Sequence, residues 1–373
     1  MAVPAVPAVP AVPAVPAVPA VPAVPAVPVG SYARSHERVR RLCETGGDSR
    51  NLRRRLLGEL RAAVPFDAHA FLLTDPETTV GCSPVADLPC PRDLPTMTRL
   101  KYLSTVHRWT ALNGIALLSD LPDPAHSLLW RDLLHAYGVR DIASLVFKDR
   151  FGCWGHLDLY RYDRPFTPAE AAHLAHLTAP VTAALRRSQA GTFVVRPPHT
   201  RRTSPLALLL SPDLRVLAQT PDTDACLSLL TPPGPGRPAV HASVYDVAAQ
   251  LLAVEAGVDP NPPRSRVHLA DGLWLTLSAA RIGDAFPSGR RNTIAVTIEE
   301  TSPAERLSLF IRAFALSPRE ADVLGHLAKG SDSHTVARDM SLSEHTVQDH
   351  LKSVFAKTST NTRGMLLARA LGA

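Results

Sequence analysis

Between Ser343 and Lys357 the chain reads SEHTVQDHLKSVFAK, and its side chains sort cleanly at helical spacing. His345, Gln348, Asp349, Lys352 and Ala356 fall on one side of a 3.6-residue repeat. Val347, Leu351, Val354 and Thr358 fall on the other, with Phe355 at its edge. The second face is apolar enough to anchor a helix. The first offers hydrogen-bonding groups on a small-residue background, the arrangement that a helix lying in a DNA major groove requires.

Such a helix has to be held by others, and the flanking sequence supplies them. Ser317-Pro318-Arg319-Glu320 is a capping box with proline at the first helical position. The helix it opens carries Val323, Leu324 and Leu327 on one face, and Gly330 stops it. A second short helix starts near Asp332 with Val336, Ala337 and Met340. Ser341-Leu342 makes a tight connection to Ser343, a good N-cap. A fourth helix, from about Thr362 to Leu371, carries Leu366, Leu367, Ala370 and Leu371. Four short helices around a helix-turn-helix make a complete all-α domain.

These residues resemble the LuxR-type helix-turn-helix domain of bacterial transcription regulators. The resemblance rests on Leu316, Pro318-Arg319-Glu320, Val323-Leu324, Gly330, Val336-Ala337, Leu342-Ser343, Thr346-Val347, His350, Val354, Lys357 and Arg363. It spans residues 316–373, with the helix-turn-helix at about 333–352. The resemblance implies a partner, double-stranded DNA, and places His345, Gln348, Asp349 and Lys352 toward the groove. Gln348 then reads a base edge, and Lys352 meets a phosphate or guanine. Asp349 acts as a filter that accepts only from a base amino group. Ser343 and Thr346 bond phosphate or cap the helix. Leu366, Leu367 and Leu371 supply a homodimer contact. Two positions depart from the family pattern: His334-Thr335 stands where a basic residue and Glu or Gln are common, so the second helix is expected to start less firmly. Gln348 stands where lysine is usual, which removes a phosphate-attracting charge.

At 373 residues there is room for two or three domains, and the net charge of +6 suits a nucleic-acid binder without proving one. Residues 316–373 hold seven Lys/Arg against six Asp/Glu, so that end is nearly neutral. Much of the positive balance sits between Arg34 and Arg61 instead. A weak electrostatic footprint predicts modest affinity per monomer and a need for dimers. Cys43, Cys82, Cys90, Cys153 and Cys226 are unclustered and odd in number, which points to reduced thiols and a cytoplasmic location. No apolar run approaches a membrane span.

Residues 2–28 are nine Ala-Val-Pro triplets, and residues 1–30 are expected to be disordered and polyproline-II-like. The segment lacks the basic leader and unbroken apolar core of a signal peptide. It reads as a repeat expansion, or as sequence upstream of the working start, with a ligand for a partner as the other reading.

Residues 31–190 read as an α/β block. Asn51 opens a helix with Leu52, Leu56, Leu57 and Leu60 inward, and a strand follows at about His69–Leu73. His126–Tyr137 is expected to be an amphipathic helix carrying Leu129, Leu133 and Leu134. Ile142–Phe147 and Cys153–Tyr160 read as a hairpin, and Thr167-Pro168-Ala169-Glu170 is a capping box before a helix with Leu174, Leu177, Val181 and Leu185 inward. The stretch WGHLDLYRYDRPFTPAEAAHLAHLTAPVTAALRR resembles the end of a GAF domain. That implies a sensor and dimerisation module for an unknown small-molecule effector. Trp154, His156, Asp158 and Tyr160 share one strand face, which reads either as a solvated sheet face or as the lining of a polar pocket.

A linker is expected at 191–204. Residues 205–300 then run as two strands with a Ser-Pro-Asp turn, a short helix at Asp222–Leu230, a loop from Thr231 and a helix over Val240–Val258. Strands at Val267–Ala270, Leu273–Ile282 and Thr293–Glu299 complete the block. This order resembles a PAS domain, an α+β sensor fold; an apolar-lined fold with no ligand stays open beside it. Ser302-Pro303-Ala304-Glu305 opens a connecting helix, within 301–315, with Leu307, Phe310, Ile311 and Phe314 along one face. That face is expected to pair with a twin rather than to pack back on the preceding block.

Catalytic chemistry is not legible. There is no phosphate-binding glycine loop, no Gly-x-Ser-x-Gly elbow and no acidic pair of a receiver domain. His173 and His176 sit three apart on one helix, but nothing completes a metal set, and they read as a solvated face. His326, His334, His345 and His350 lie on different faces, with His350 expected to pack against the helix core. No cofactor, metal or catalytic residue is assigned, and the effector is unknown. The expectation is a DNA-binding transcriptional regulator and not an enzyme. Two other classes stay open. One is a cofactor-binding sensor with hydrolase activity resting on the Cys153–Tyr160 strand, and the other is a scaffold whose C-terminal helices bind protein.

Overall fold

The computed structural model describes residues 29–195, 206–230, 242–282 and 293–372. The Ala-Val-Pro repeat, most of the expected linker and the loop from Thr231 lie outside the described residues. The N-terminal block begins with α1 (Val29–Glu44) and α2 (Ser49–Ala63). Asp48, three residues before the expected start, caps α2 by accepting from Asn51 N, and Leu52, Leu56, Leu57 and Leu60 are buried as their spacing requires. Each such leucine contributes about 1.5–3 kcal/mol on full burial.

The block continues through β1 (Ala68–Thr74), β2 (Gly81–Asp87), α3 (Leu94–Leu103), β3 (Ile115–Leu117), α4 (Leu128–Asp132), β4 (Asp141–Asp149), β5 (Gly152–Arg161) and α5 (Pro168–Ala190). The strands form an antiparallel sheet in the order β2-β1-β5-β4-β3. The helix expected over His126–Tyr137 is broken: only α4 is α-helical, flanked by single 3-10 turns, with Gly138 closing the stretch at φ +75°. Leu129 and Leu134 are buried nonetheless.

Gly155, Leu157 and Leu159 face α5. A Cβ on Gly155 would meet the backbone oxygen Leu72 O of β1 at 2.8 Å and Leu185 Cδ1 of α5 at 3.2 Å, so the strand passes this close to β1 only with glycine there. The opposite side of β5 is buried too. Lys101 of α3 and Trp109 cover it, and His156, Asp158 and Tyr160 are fully enclosed. The alternation is therefore neither a solvated face nor an open pocket lining. The chain fills the space with its own polar groups.

His173 departs from expectation in the same way. It is buried under α1, stacked on Tyr32 and His36 with ring centroids 4.5 Å from each, while His176 stays exposed.

The second block contains β6 (Leu206–Leu210), β7 (Val216–Gln219), α6 (Thr223–Leu230), α7 (Ala242–Glu255), β8 (Arg264–Ala270), β9 (Leu273–Arg281) and β10 (Ile294–Glu300). Its sheet order, β7-β6-β10-β9-β8, repeats that of the first sheet strand for strand. α7 is buried on nearly every side and wedges between α3 and β2 of the first block and β9 of its own. A helix apolar around most of its circumference belongs in such a position. Buried ion pairs tie the blocks together: Arg266 Nε lies 2.6 Å from Asp75 Oδ2, and Arg108 Nε lies 3.0 Å from Asp259 Oδ2.

α8 (Pro303–Ala313) follows, with its capping box formed as expected. Its buried residues are Arg306, Leu309, Phe310 and Ala313, and it packs on α5 and on the last helix of the chain. This corrects the expected face. Leu307, Ile311 and Phe314 are half-buried against the chain's own core, and the side assigned to a twin is taken within the molecule. Phe193, placed in the linker by sequence, is fully buried there too, stacked on Trp274 at 5.2 Å and edge-on to Phe310 at 5.3 Å. No helix among the described residues is long and apolar enough to cross a membrane.

Candidate nucleic-acid interface

The last four helices are α9 (Pro318–Ala328), α10 (Ser333–Asp339), α11 (Glu344–Thr358) and α12 (Arg363–Leu371). Each start is capped by a side chain. Ser317 and Glu320 form the full box on α9, Asp332 accepts from Thr335 N at 2.8 Å on α10, and Ser343 accepts from Thr346 N at 3.1 Å on α11. The weak start expected for α10 is corrected: the aspartate cap forms without a returning glutamate. Gly330 at φ +90° ends α9, and Ser341 at φ +54° makes the turn between α10 and α11.

The core of this module is a small apolar cluster of its own: Val323, Leu327, Val336, Ala337, Val347 and Leu351, with Met340, Leu342 and Phe355 at its edge. Val347, Leu351, Val354 and Thr358 are the buried residues of α11, as their spacing requires. One polar bracket adds to it. Glu320 accepts from Lys357 Nζ at 2.6 Å and from Ser353 Oγ at 2.6 Å, which clamps α9 to the back of α11. Burial alone would raise the Glu320 carboxyl, but these bonds and the Ser317 amide pull it down to about 2. Glu320 and Lys357 were both legible as motif residues; their pairing was not.

The opposite face of α11 is open. His345, Gln348, Asp349 and Lys352 are exposed, with 83% of the His345 side chain and 71% of Lys352 accessible. They are not independent. Lys352 Nζ donates to Asp349 Oδ1 at 3.0 Å, and His345 Nε2 lies 3.4 Å from Asp349 Oδ2. The bond from Lys352 holds the Asp349 carboxyl below its ordinary range, although slight desolvation opposes it. Gln348 Nε2 donates to Ser333 Oγ at 3.1 Å, so its amide is pre-oriented by α10. Thr346 is half-buried and shares its hydroxyl with Ser343 Oγ at 2.8 Å. Sequence reasoning missed Ser333 as the residue that orients Gln348.

The histidines of the module are not brought together. His326, His334 and His345 each face a different carboxylate, Asp339, Glu344 and Asp349, and His350 is half-buried.

α12 packs on α8. Leu366 is fully buried inside the chain and so presents nothing to a second copy, whereas Leu367 and Leu371 keep partial exposure and Met365 is 43% exposed. Arg369 ties the module to the body: Nε donates to Phe193 O at 2.7 Å and Nη1 to Thr358 O at 2.6 Å. Arg306 Nη1 donates to Gly272 O at 2.6 Å and Nη2 to Arg369 O at 3.2 Å. All of these contacts lie away from the exposed face of α11.

Comparison with known proteins agrees with this geometry. Residues 315–368 match the family model described as "Bacterial regulatory proteins, luxR family". The C-terminal module is a LuxR-family helix-turn-helix domain. A relative from Streptomyces halstedii, described as "Probable HTH-type transcriptional regulator GfsR", is 32% identical over 149 residues, 36% of this chain and 61% of that one. The chain thus spans 61% of that relative's length. Among solved structures, the VqmA dimer of Vibrio cholerae, described as a LuxR-type receptor, aligns over 46% of this chain and 83% of its own at 16% identity and a TM-score of 0.19. A likeness that loose places no element of this chain.

Proposed function

We propose that this chain is a DNA-binding transcriptional regulator that reads the major groove with α11. The observation that carries the reading is the division of that helix. Its apolar face holds the module together, while His345, Gln348, Asp349 and Lys352 stay exposed in a segment matched by the luxR family model. In this reading Gln348, held by Ser333, offers its free Oε1 and remaining donor to a base edge. Lys352 leaves Asp349 for a phosphate or a guanine. Asp349 then faces the groove as a filter against phosphate, accepting only from a base amino group. Ser343 and Thr346 lie at the helix N-terminus, where phosphate is favoured.

The near-neutral module supports a homodimer, because two weak footprints on paired half-sites bind better than one. Leu367 and Leu371, with exposed Met365 beside them, are the α12 side chains available for that contact. We further read the first sheet block as GAF-like and the second as PAS-like, a pair of sensor domains that respond to a small-molecule effector. The shared strand order of the two sheets supports a common sensor architecture. A cytoplasmic location fits a DNA-binding regulator.

Genomic footprinting with tagged wild-type chain and a Gln348→Ala/Lys352→Ala double variant tests the reading. Sequence-defined sites with wild type that vanish in the double variant are expected. Sites with no common sequence, or sites unchanged by the double substitution, would return the C-terminal helices to a protein-binding role.

A further inference from the structure

A cleft of about 830 Å³ opens between α2, the end of α5, β2 and the β8–β9 turn, remote from α11. Two of its wall residues, Arg53 and Trp274, are buried. Arg53 is 2% exposed, and its guanidinium meets only backbone carbonyls: Nε donates to Ser49 O, and Nη1 donates to Phe71 O at 2.8 Å and to Ser83 O at 2.6 Å. Among the described residues no carboxylate forms an ion pair with it. Trp274 is 3% exposed, and its Nε1 has no acceptor. His268, the cross-strand partner of Trp274, adds a buried Nε2 with no partner. The acidic residues of the cleft, Glu44, Asp48 and Asp271, are all exposed; Asp48 acts on Arg53, and Asp48 and Asp271 on His268, through space and not through a direct ion pair.

A guanidinium withdrawn from water without a counter-charge is unfavourable unless something else supplies the charge. Burial pulls the Arg53 guanidinium down to about 10. In the two sheet blocks the other buried arginines, Arg161 and Arg266, each have a carboxylate within 3.1 Å, which Arg53 does not. Leu52, Leu73 and Leu269 give the same cleft apolar surface.

We infer that this cleft is a binding site for a small organic anion. Its acidic group meets Arg53, an acceptor atom takes the Trp274 N–H, and an apolar body lies on the leucines. Arg–carboxylate bonds of this kind are charge-assisted and directional. The site is linked to the connecting helix α8 by rings: Trp274 stacks on Phe193, which meets Phe310 and, at 6.2 Å, Phe314. Any consequence for DNA binding rests on the function proposed above; the site itself does not.

The probe is anilinonaphthalene sulfonate, an aromatic anion, with phenylnaphthylamine as its uncharged counterpart, each titrated by fluorescence into the full chain. One sulfonate site per chain is expected. Arg53→Gln should weaken sulfonate binding about tenfold and the neutral probe less than about twofold, because only the charged contact is lost. Trp274→Phe keeps the ring and loses the donor. It should weaken the sulfonate about threefold with an unchanged melting temperature. Should Arg53→Gln not fold, Arg53→Lys and Trp274→Phe carry the test, with the lysine retaining charge selectivity and the phenylalanine losing affinity. Absence of sulfonate binding to wild type, equal binding of both probes, or an affinity unmoved by Trp274→Phe would each overturn the inference. No readout involves DNA, so this outcome and that of the footprinting are separable.

Discussion

The C-terminal module and the double-sheet body differ in what they enclose: the body buries several ion pairs, and the module's core is apolar. In the module the core of Val323, Leu327, Val336, Val347 and Leu351 is apolar, and Lys352, Asp349 and His345 stand outside it. The body has exposed ion pairs too, but it also encloses several: Lys101–Asp158 at 2.9 Å, Arg161–Glu170 at 3.1 Å and Arg266–Asp75 at 2.6 Å are all nearly inaccessible. A buried pair adds little net stability, yet breaking it strands a charge. An exposed charge adds little to folding and stays available to a partner. The difference teaches that the body's charges fix one arrangement of its sheets, while the module's are held ready for something else.

The largest effects should come from exchanging the two patterns. Val347→Asp puts an unpaired carboxylate at a position with no solvent access and should destabilise the module by more than about 4 kcal/mol, with loss of DNA binding. Hydrogen exchange should show α9–α12 unprotected; a folded, DNA-competent variant would mean that the faces of α11 are reversed. Asp158→Ala makes the matching change in the body. It strands Lys101 and leaves Trp109 Nε1 without its acceptor, and should cost about 3–4 kcal/mol in urea unfolding. A loss below about 1 kcal/mol would mean that water replaces the carboxylate, and the body's polar interior would be less closed than described.

The same contrast explains what the sequence could and could not tell. The module was legible because its determinants are local: caps at Ser317, Asp332 and Ser343, and one apolar stripe on α11. The capping boxes at Thr167 and Ser302 were legible for the same reason. The β5 face misled because Asp158 and His156 read as water-facing until Lys101, far earlier in the chain, is known to cover them. His173 misled similarly, since only the packing of α1 buries it. α8 kept its start but not its face, because which side is inward depends on Phe193 and α12 rather than on the helix. The polar face of α11 was legible residue by residue, while the Gln348–Ser333 bond and the Asp349 hub were not.

Glu320 is the module's exception, a charge drawn inward, and it sharpens the comparison. Its carboxyl is held at about 2 against an ordinary 4.5, a depressed value. The stabilisation it gives is therefore complete above about pH 4.5 and is lost as the pH falls toward 2. Glu320→Gln should cost about 2 kcal/mol at neutral pH and flatten that acid limb. An acid limb unchanged by the substitution would show that Lys357 is equally well placed without its partner.

A smaller effect belongs to Lys352→Ala, which leaves folding untouched. It should weaken DNA binding about three- to tenfold and lower the salt slope by about one. Titrations at several salt concentrations measure both, and an unaltered slope would remove Lys352 from the interface.

Asp349→Asn should act least, and in the opposite direction. Asp349 spends its carboxylate on Lys352 and faces His345 as well, so one acidic group engages both of these neighbours on the exposed face of α11. Removing its charge frees Lys352 and also removes a repulsion toward phosphate. Binding to arbitrary duplex should tighten about two- to fivefold, with a slightly steeper salt dependence. Binding to the specific site should tighten less, because the carboxylate's acceptance from a base amino group is lost as well. The ratio of specific to arbitrary binding is therefore the quantity to measure. A ratio that falls marks Asp349 as a discriminator between sequences, while one that is unchanged leaves it only as the internal counter-ion of Lys352.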